Sequence, residues 1–317
     1  MTSDVGQHPR RPFDRLPFSS LPQHPTRAHP YYSSTGQHLE MDSAALGPLR
    51  VHYRTYGAGP PLLLIHGLMT TSYSWRYVLD ELGAHHNLVI PDLPGAGRSS
   101  APSGRLSADA VAAWIGEFQT TLGLRGCPVV GNSLGGYLVM RHALTDPSAF
   151  AAVVNVHSPA VPLPRLRFLH AALSLPGAPA VLRWWIQRDT TRWAHRVVHY
   201  YDETLKSLEE AHEYGDPLAT RDGATAFIGY LRDVMHPGGF AEFRDTLTRR
   251  CSGGQQFPVP LLLIYARQDP LVPPRVGDRL AALVPTAALH RLDRSSHFAH
   301  VDTPAAVSEA VIDFLDI

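Results

Sequence analysis

The stretch V-V-G-N-S-L-G-G-Y, residues 129–137, decides how the rest of the chain is interpreted. Its serine, Ser133, follows a short apolar run and precedes a helical pattern, with Gly131 two residues before it and Gly135 two residues after it. Glycine at both positions predicts a turn so tight that a side chain there would collide with the neighbouring strand or helix. The pattern G-x-S-x-G in this setting is typical of a nucleophile elbow, which exposes a serine hydroxyl above a sheet edge.

Short apolar segments alternate with longer helical patterns from residue 37 to the C-terminus. Several segments, such as V-P-L-L-L-I-Y at 259–265, are unbroken apolar runs, as expected for strands buried on both faces of a parallel sheet. The alternation predicts an α/β fold, with a mostly parallel eight-stranded sheet flanked by helices. The predicted strands are 37–41, 49–53, 61–65, 88–91, 128–130, 152–156, 259–265 and 288–292. The predicted helices are 75–82, 107–122, 134–144, 239–250, 276–283 and 305–315.

One interval, residues 158–236, interrupts this alternation. It has a helical pattern, many aromatic residues and no strong strand signal, and an unstructured loop of that length is not expected in a compact domain. We interpret it as a helical cap, or lid, inserted after strand 6. The predicted organisation is therefore a flexible Pro/His-rich N-terminal extension at 1–35, either disordered or lying along the domain surface, a core formed by 36–157 and 237–317, and the cap at 158–236.

Composition excludes several classes of function. Lys+Arg and Asp+Glu both number 28, so the chain lacks the basic excess that nucleic-acid binding requires. No H-E-x-x-H motif or paired Cys/His spacing is present, so we expect neither a metal nor a cofactor. The N-terminus has no apolar segment of signal-peptide type and no apolar run has the length of a membrane span, so we expect a cytoplasmic protein that acts on a small molecule.

Five motifs in the same chain order resemble those of the α/β-hydrolase family, in its capped serine-hydrolase branch. The resemblance extends from residue 37 to the end and implies the α/β-hydrolase fold, with the cap after strand 6. The motifs are L-L-L-I-H-G-L-M at 62–69, P-D-L-P-G-A-G-R-S at 91–99, G-N-S-L-G at 131–135, L-L-L-I-Y-A-R-Q-D-P-L-V-P-P at 261–274 and D-R-S-S-H-F-A-H-V-D-T-P at 293–304.

The resemblance implies a catalytic triad of Ser133, Asp269 and His297, which occur in the chain order of this fold. A serine hydroxyl is a poor nucleophile until a base takes its proton, and His297 is the expected base. Asp269 is expected to fix the tautomer of that imidazole and to stabilise the imidazolium. His300 is the rival for His297, but the family pattern H-F-x-x-x-D/E-x-P places the catalytic histidine first.

The resemblance also implies an oxyanion hole made by the backbone N–H groups of Leu68 and Leu134. His66, in the loop that carries Leu68, is interpreted as a structural hydrogen-bonding residue and not as a base. The G-A-G at 95–97 lacks the third glycine and the acidic ribose partner of a dinucleotide loop, so we interpret it, with Asp92, as part of a turn.

These residues predict a serine hydrolase that cleaves a carboxylic ester of a largely apolar small molecule. The stretch H-G-L-M-T-T-S-Y-S-W at 66–75 resembles epoxide hydrolases and haloalkane dehalogenases, but those attack with a carboxylate and residue 133 is a serine. The sequence G-N-S-L-G-G also resembles carbon–carbon bond hydrolases of ring-fission products. Those usually carry Trp where this chain has Phe298, and they use a cap arginine, here Arg188 or Arg192, for a substrate carboxylate.

Further alternatives stay open at this point. Members of this fold that keep an intact triad include ligand receptors and non-hydrolytic lyases, and the same triad can pass an acyl group to peroxide. The sequence does not separate these functions.

Overall fold

The computed structural model describes residues 11–316. A single sheet has the strand order β1-β2-β4-β3-β5-β6-β7-β8; β1 pairs with β2 and β2 with β4 antiparallel, and the other pairs are parallel. The predicted eight-stranded, mostly parallel sheet is thereby confirmed. The strands are β1 Thr35–Ser43, β2 Gly47–Tyr56, β3 Pro61–Ile65, β4 Asn87–Pro91, β5 Val129–Asn132, β6 Val153–Val156, β7 Leu261–Ala266 and β8 Ala288–Leu292.

Helices cover both faces of this sheet. None of the helices in residues 11–316 is long and apolar enough to cross a membrane. They are α1 Leu79–Gly83, α2 Ala108–Thr121, α3 Leu134–Thr145, α4 Pro164–Leu173, α5 Ala178–Gln187, α6 Thr190–Val197, α7 Leu208–Gly215, α8 Arg221–Gly229, α9 Pro237–Ser252, α10 Arg275–Leu283, α11 Ala299–Asp302 and α12 Pro304–Leu315.

Alternate residues of the central strands pack into two separate hydrophobic cores. In β3, Leu63 and Ile65 belong to the core on one face of the sheet, whereas Leu62 and Leu64 belong to the core on the other. All four side chains are fully buried. The unbroken apolar run of this strand therefore follows from burial on both faces.

The predicted helix at 75–82 begins four residues too early. A 3₁₀ turn at Ser72–Trp75 is followed by the short helix α1, which begins only at Leu79. The hydroxyl of Thr71 accepts a hydrogen bond from the Tyr73 N–H, which starts the tight turn three residues before the predicted helix. The apolar spacing that suggested one helix instead reflects residues that are buried one after another in a turn.

Residues 158–236, here called the insertion, contain α4 to α8 and a π-helical turn at Tyr230–Val234. The following helix, α9, packs on the core, with the Phe240 ring centroid 4.4 Å from that of Tyr137. The boundaries between the core and a cap stay a prediction.

A buried ion pair joins the insertion to the core. The guanidinium of Arg76 lies 2.5 Å from the carboxylate of Glu210 on α7, and both side chains are almost completely shielded from solvent. The Tyr200 hydroxyl donates to the same carboxylate at 2.5 Å, and the Arg76 guanidinium also stacks on the Tyr73 and Tyr77 rings at 4.4 Å. These contacts together offset the free-energy cost of burying the two charges of Arg76 and Glu210.

The N-terminal residues 11–34 follow the surface of the insertion. His24 and His29 lie 2.8 and 3.2 Å from the Glu209 carboxylate, and the His195 ring lies 2.9 Å from the Leu16 carbonyl oxygen. Tyr31 is fully buried against the core. The predicted flexible extension stays a prediction, and its first ten residues lie outside the described part of the chain.

We expect Glu210→Leu to lower the free energy of unfolding by about 3–5 kcal/mol, because Arg76 keeps its charge in a buried site without a partner. Replacing both partners, in Arg76→Met/Glu210→Leu, should recover most of that loss. Urea unfolding of the two variants measures this difference. As a control, Asp245→Leu on α9 breaks a pair with Arg244 in which both side chains are about half exposed, and it should cost only about 1 kcal/mol. Equal losses in the single and double variants would contradict the interpretation.

Candidate active site

Ser133 occupies the turn between a strand and a helix. β5 ends at Asn132 and α3 begins at Leu134, so Ser133 alone joins them. Its φ of 52° and ψ of −115° lie in a region that residues with a side chain rarely adopt. The Ser133 N–H donates to the Val156 carbonyl oxygen at 2.7 Å, which ties the turn to β6.

The two glycines around Ser133 allow this turn. A Cβ atom at Gly131 would lie 2.6 Å from the backbone of Gly135, at the start of α3. A Cβ atom at Gly135 would overlap the carbonyl oxygen of Ile65 at the end of β3. The collision predicted from the sequence therefore involves the following helix at Gly131 and the neighbouring strand at Gly135.

The loop after β3 runs directly beside Ser133. A side chain at Gly67 would come within 3.2 Å of the Ser133 Cβ atom. The N–H groups of Leu68 and Leu134 donate no hydrogen bond to another group in residues 11–316, and Leu134 opens α3, where the helix dipole favours negative charge. These two amides are free to bind an anionic oxygen, and their role as an oxyanion hole stays a prediction.

His66 holds the loop that contains Gly67 and Leu68. Its Nε2 accepts from the Leu93 N–H at 2.9 Å and its Nδ1 donates to the Gly67 carbonyl oxygen at 2.8 Å. Both ring nitrogens are thus used within the protein, and burial lowers the pKa of this imidazole. The geometry agrees with the structural role expected from the sequence.

The G-A-G segment forms a turn built on Asp92. The carboxylate of Asp92 accepts from the Ser72 N–H at 2.7 Å and from the Arg98 N–H at 3.0 Å. Gly95 and Gly97 have φ values of 79° and 53°, which favour glycine. Burial alone would raise the pKa of Asp92, but the hydrogen bond with His52 at 2.8 Å, the nearby His66 and the Arg98 N–H lower this pKa to about 2.

Asp269 and His297 form a buried hydrogen-bonded pair. Nδ1 of His297 lies 2.7 Å from Oδ2 of Asp269, while Oδ1 accepts from the Leu271 and Val272 N–H groups at 2.6 and 2.8 Å. Burial alone would raise the pKa of the Asp269 carboxyl, but His297 and a second histidine hold that pKa well below its usual range. The carboxylate therefore stays ionised at neutral pH and can orient the imidazole.

The rival histidine, His300, does not contact Asp269. It is fully buried and its ring lies 4.5 Å from that of Trp75, and neither of its ring nitrogens has a hydrogen-bond partner among residues 11–316. The structure thus favours His297 over His300 as the partner of the carboxylate.

Ser133 and His297 line the same cavity, which lies between the sheet and the insertion. No hydrogen bond joins the Ser133 hydroxyl to the His297 ring within the described residues. The side chain of Asn132 connects the two loops instead, because its Nδ2 donates to the carbonyl oxygens of His297 at 3.2 Å and Val156 at 3.3 Å. The structure brings Asp269 and His297 into direct contact and places Ser133 beside the same cavity.

A second histidine, His157, lies beside the carboxylate of Asp269 and was not predicted from the sequence. His157 follows β6, has a φ of 58° and is fully buried. Its Nε2 accepts from the Ala266 N–H at 3.1 Å, so the neutral ring carries its proton on Nδ1. That nitrogen lies 2.9 Å from Oδ2 of Asp269, at an angle poorer than that of a regular hydrogen bond. The sequence feature that could have revealed His157 is its position directly after β6, the strand that pairs with β7.

His157, Asp269 and His297 also form the kind of group that can hold a metal ion, since their ligand atoms lie within 4.8 Å of one another. A metal would have to displace the proton of His157 Nδ1, since Nε2 is occupied by the Ala266 N–H. The hydrogen bonds therefore fit a carboxylate held between two imidazoles better than a metal site.

The chain belongs to the alpha/beta hydrolase fold family, whose sequence model matches residues 60–304, and it is a hydrolase. Among its relatives is a 2-hydroxy-6-oxo-2,4-heptadienoate hydrolase of Pseudomonas putida, 26% identical over 85% of this chain and 94% of the relative. Bifunctional epoxide hydrolase 2 of Sus scrofa is 23% identical over 84% of this chain, which spans 53% of that protein. The structure of a thermophilic esterase from Thermogutta terrifontis is 18% identical, with a TM-score of 0.66, over 88% of this chain and 98% of the esterase.

We expect His157→Phe to lower the free energy of unfolding by about 1–3 kcal/mol, because the buried Ala266 N–H loses its acceptor. His300→Phe is the matched control: it replaces another fully buried histidine, but one without a hydrogen-bond partner, and should cost little. Urea unfolding of both variants tests this prediction, and equal losses would show that the hydrogen bond to His157 contributes nothing specific.

We also expect the free energy of unfolding to fall as the pH decreases below about 6.5. Burial lowers the pKa values of His66, His157 and His300, so the unfolded chain binds more protons than the folded one in this range. The stabilisation is therefore complete above the unfolded pKa and is lost toward acid pH. Unfolding curves between pH 5 and pH 8 measure the slope, which His300→Phe should reduce and which the exposed-site variant Arg279→Gln should not change. A slope of zero in the unsubstituted protein would contradict this prediction.

Proposed function

We propose that this hydrolase cleaves a carboxylic ester of a largely apolar small molecule through an acyl-enzyme on Ser133. The observation that carries the proposal is the arrangement around one cavity. Ser133 and His297 line it, the carboxylate of Asp269 holds His297, and the two free amides of Leu68 and Leu134 flank the serine.

The proposed reaction starts when Nε2 of His297 takes the proton of the Ser133 hydroxyl as the oxygen attacks the ester carbonyl. The resulting oxyanion is stabilised by the N–H groups of Leu68 and Leu134. His297 then returns the proton to the leaving alcohol, and a water molecule attacks the acyl-enzyme by the same route. Asp269 fixes the proton of His297 on Nδ1, so that Nε2 is free to act as the base.

The cavity supports an apolar substrate. It has a volume of about 550 Å³, within the usual range for small-molecule sites, and aliphatic and aromatic side chains form most of its wall. Leu166, Leu182, Trp193 and Phe227 from the insertion are among them. A long acyl chain or an aromatic ring would lose little hydrogen bonding on entering such a cavity.

A carbon–carbon bond hydrolase is the second candidate, and Arg165 is the observation that favours it. Arg165 lines the cavity and has no carboxylate within 4.0 Å among residues 11–316, so it could bind the carboxylate of a ring-fission substrate. The arginines considered from the sequence do not line this cavity. Arg188 stacks on Trp184 at 4.5 Å, and Arg192 pairs with Asp189 at 3.0 Å.

We expect the purified protein to hydrolyse p-nitrophenyl esters from acetate to decanoate at ordinary enzymatic rates, with a preference for the longer chains. Ser133→Ala should reduce the rate to background, and Asp269→Asn should reduce kcat by about 10⁴-fold. Ser308→Ala, which changes another buried serine on α12, should keep full activity. Release of p-nitrophenol at increasing substrate concentrations gives kcat and KM for each variant.

Other outcomes separate the alternatives. Full activity in Ser133→Ala would remove the serine from the mechanism. No ester hydrolysis, but cleavage of 2-hydroxy-6-oxo-2,4-heptadienoate that requires Ser133, would establish the carbon–carbon candidate. Failure on both substrate types, with a ligand-induced rise in Tm, would indicate a receptor or a lyase on the same fold.

A further inference from the structure

The surface formed by α4, α5 and the turn between them carries exposed apolar side chains. Phe168, Leu175, Val181, Trp184 and Trp185 expose between 47% and 77% of their surface. In residues 11–316, Tyr32 is the one other large apolar side chain that is comparably exposed. These five side chains are here called the α4–α5 face. Exposed apolar patches of this kind mark surfaces that bind another protein, a ligand or a membrane.

The charged residues of the segment that carries this face are mostly positive. Residues 158–200 contain six arginines, one aspartate and no lysine, whereas residues 201–222 contain seven acidic residues and two basic ones. Arg167, Arg188 and Arg196 are exposed and have no carboxylate within 4.0 Å among the described residues. A chain with no net charge thus concentrates positive charge beside its most exposed aromatic side chains.

Two arginines of this region lie over tryptophan rings. The guanidinium of Arg188 lies 4.5 Å from the centroid of the Trp184 ring, and that of Arg196 lies 6.0 Å from the Trp185 ring. Arginine can lay its aliphatic stem over apolar surface while its charge reaches water or headgroups. Tryptophan prefers the boundary between hydrocarbon and water for a similar reason.

We propose that the α4–α5 face binds to the surface of an anionic lipid bilayer, with α4 and α5 lying in the interface plane. Helices that bind in this way carry aromatic and aliphatic residues on one side and arginine or lysine beside them. Anionic headgroups supply negatively charged partners for the arginines that have no carboxylate nearby. A second copy of the chain fits less well, because a symmetric contact through this face would bring the two groups of arginines together.

The candidate active-site cavity opens at this face. Arg165 and Trp185 are both exposed, and both line the cavity that contains Ser133. A bilayer bound to the α4–α5 face would therefore lie against the mouth of the cavity, where an apolar molecule can leave the lipid and enter. The docking itself does not depend on the proposed ester chemistry.

Vesicle co-sedimentation tests the proposal. The protein used is the full chain with Ser133→Ala, so that lipid is not consumed during the measurement. We expect about tenfold tighter binding to vesicles of phosphatidylcholine with one third phosphatidylglycerol than to phosphatidylcholine alone. The binding should weaken at high salt, since exposed charges are then screened. The tryptophan fluorescence of the protein should shift to the blue on binding, because the rings of Trp184 and Trp185 leave water.

Two pairs of substitutions separate the apolar and charged contributions. Phe168→Ser/Trp184→Ser should weaken binding to both kinds of vesicle at least tenfold. Arg167→Gln/Arg188→Gln should remove the preference for the anionic vesicles. The matched controls, Tyr32→Ser for the aromatic pair and Arg249→Gln/Arg279→Gln for the arginines, should bind like the parent protein. Circular dichroism confirms that each variant is folded.

Three results would overturn the proposal. The parent protein could fail to bind anionic vesicles at low salt. The control substitutions could weaken binding as much as those on the α4–α5 face. Finally, a concentration-dependent dimer that Phe168→Ser/Trp184→Ser dissociates, without binding to vesicles, would show that a second copy covers this face.

Discussion

The close approach of β3, β5 and α3 around Ser133 is the constraint on which the rest of the site depends. The strand and the helix come so near that only glycine fits at positions 131 and 135, and the backbone between them takes a φ of 52°. This conformation costs free energy that the surrounding packing must supply. In return, the same turn places Ser133 at the cavity wall, leaves the first N–H of α3 without a hydrogen-bond acceptor among the described residues and brings Gly67 against the serine.

The parallel arrangement of the strands gathers the other groups at the same edge. Loops that follow β3, β5, β6 and β7 carry Leu68, Ser133, His157 and Asp269, and parallel neighbouring strands all end on one side of the sheet. His297 comes from the loop after β8, the last strand in this order. A site of this kind needs no long-range adjustment of the fold, because the pairing of strands already fixes the relative positions of the loops.

Much of this arrangement could be predicted from the sequence, because its signals are local. The eight strands were identified from short apolar runs, and Ser133, Asp269 and His297 each lie in a motif of a few residues. His157 and Asn132 were missed, because their roles depend on the pairing of β6 with β7 and on a contact between two distant loops. Arg165 was missed for the same reason, since helical periodicity does not tell which face of α4 borders a cavity. The predicted helix at 75–82 began too early because residues buried in a turn have the same apolar spacing as a helix.

Two parts of the insertion are held very differently. α7 is fixed to the core by the buried pair of Arg76 and Glu210, and the N-terminal segment adds contacts through Glu209. By contrast, α4 and α5 supply much of the cavity wall, yet their outer side chains contact little of the protein. Substitutions in these two helices can therefore alter which molecules fit without weakening the framework that positions the reacting groups. Selection, natural or in the laboratory, can explore new substrates there at small cost to folding.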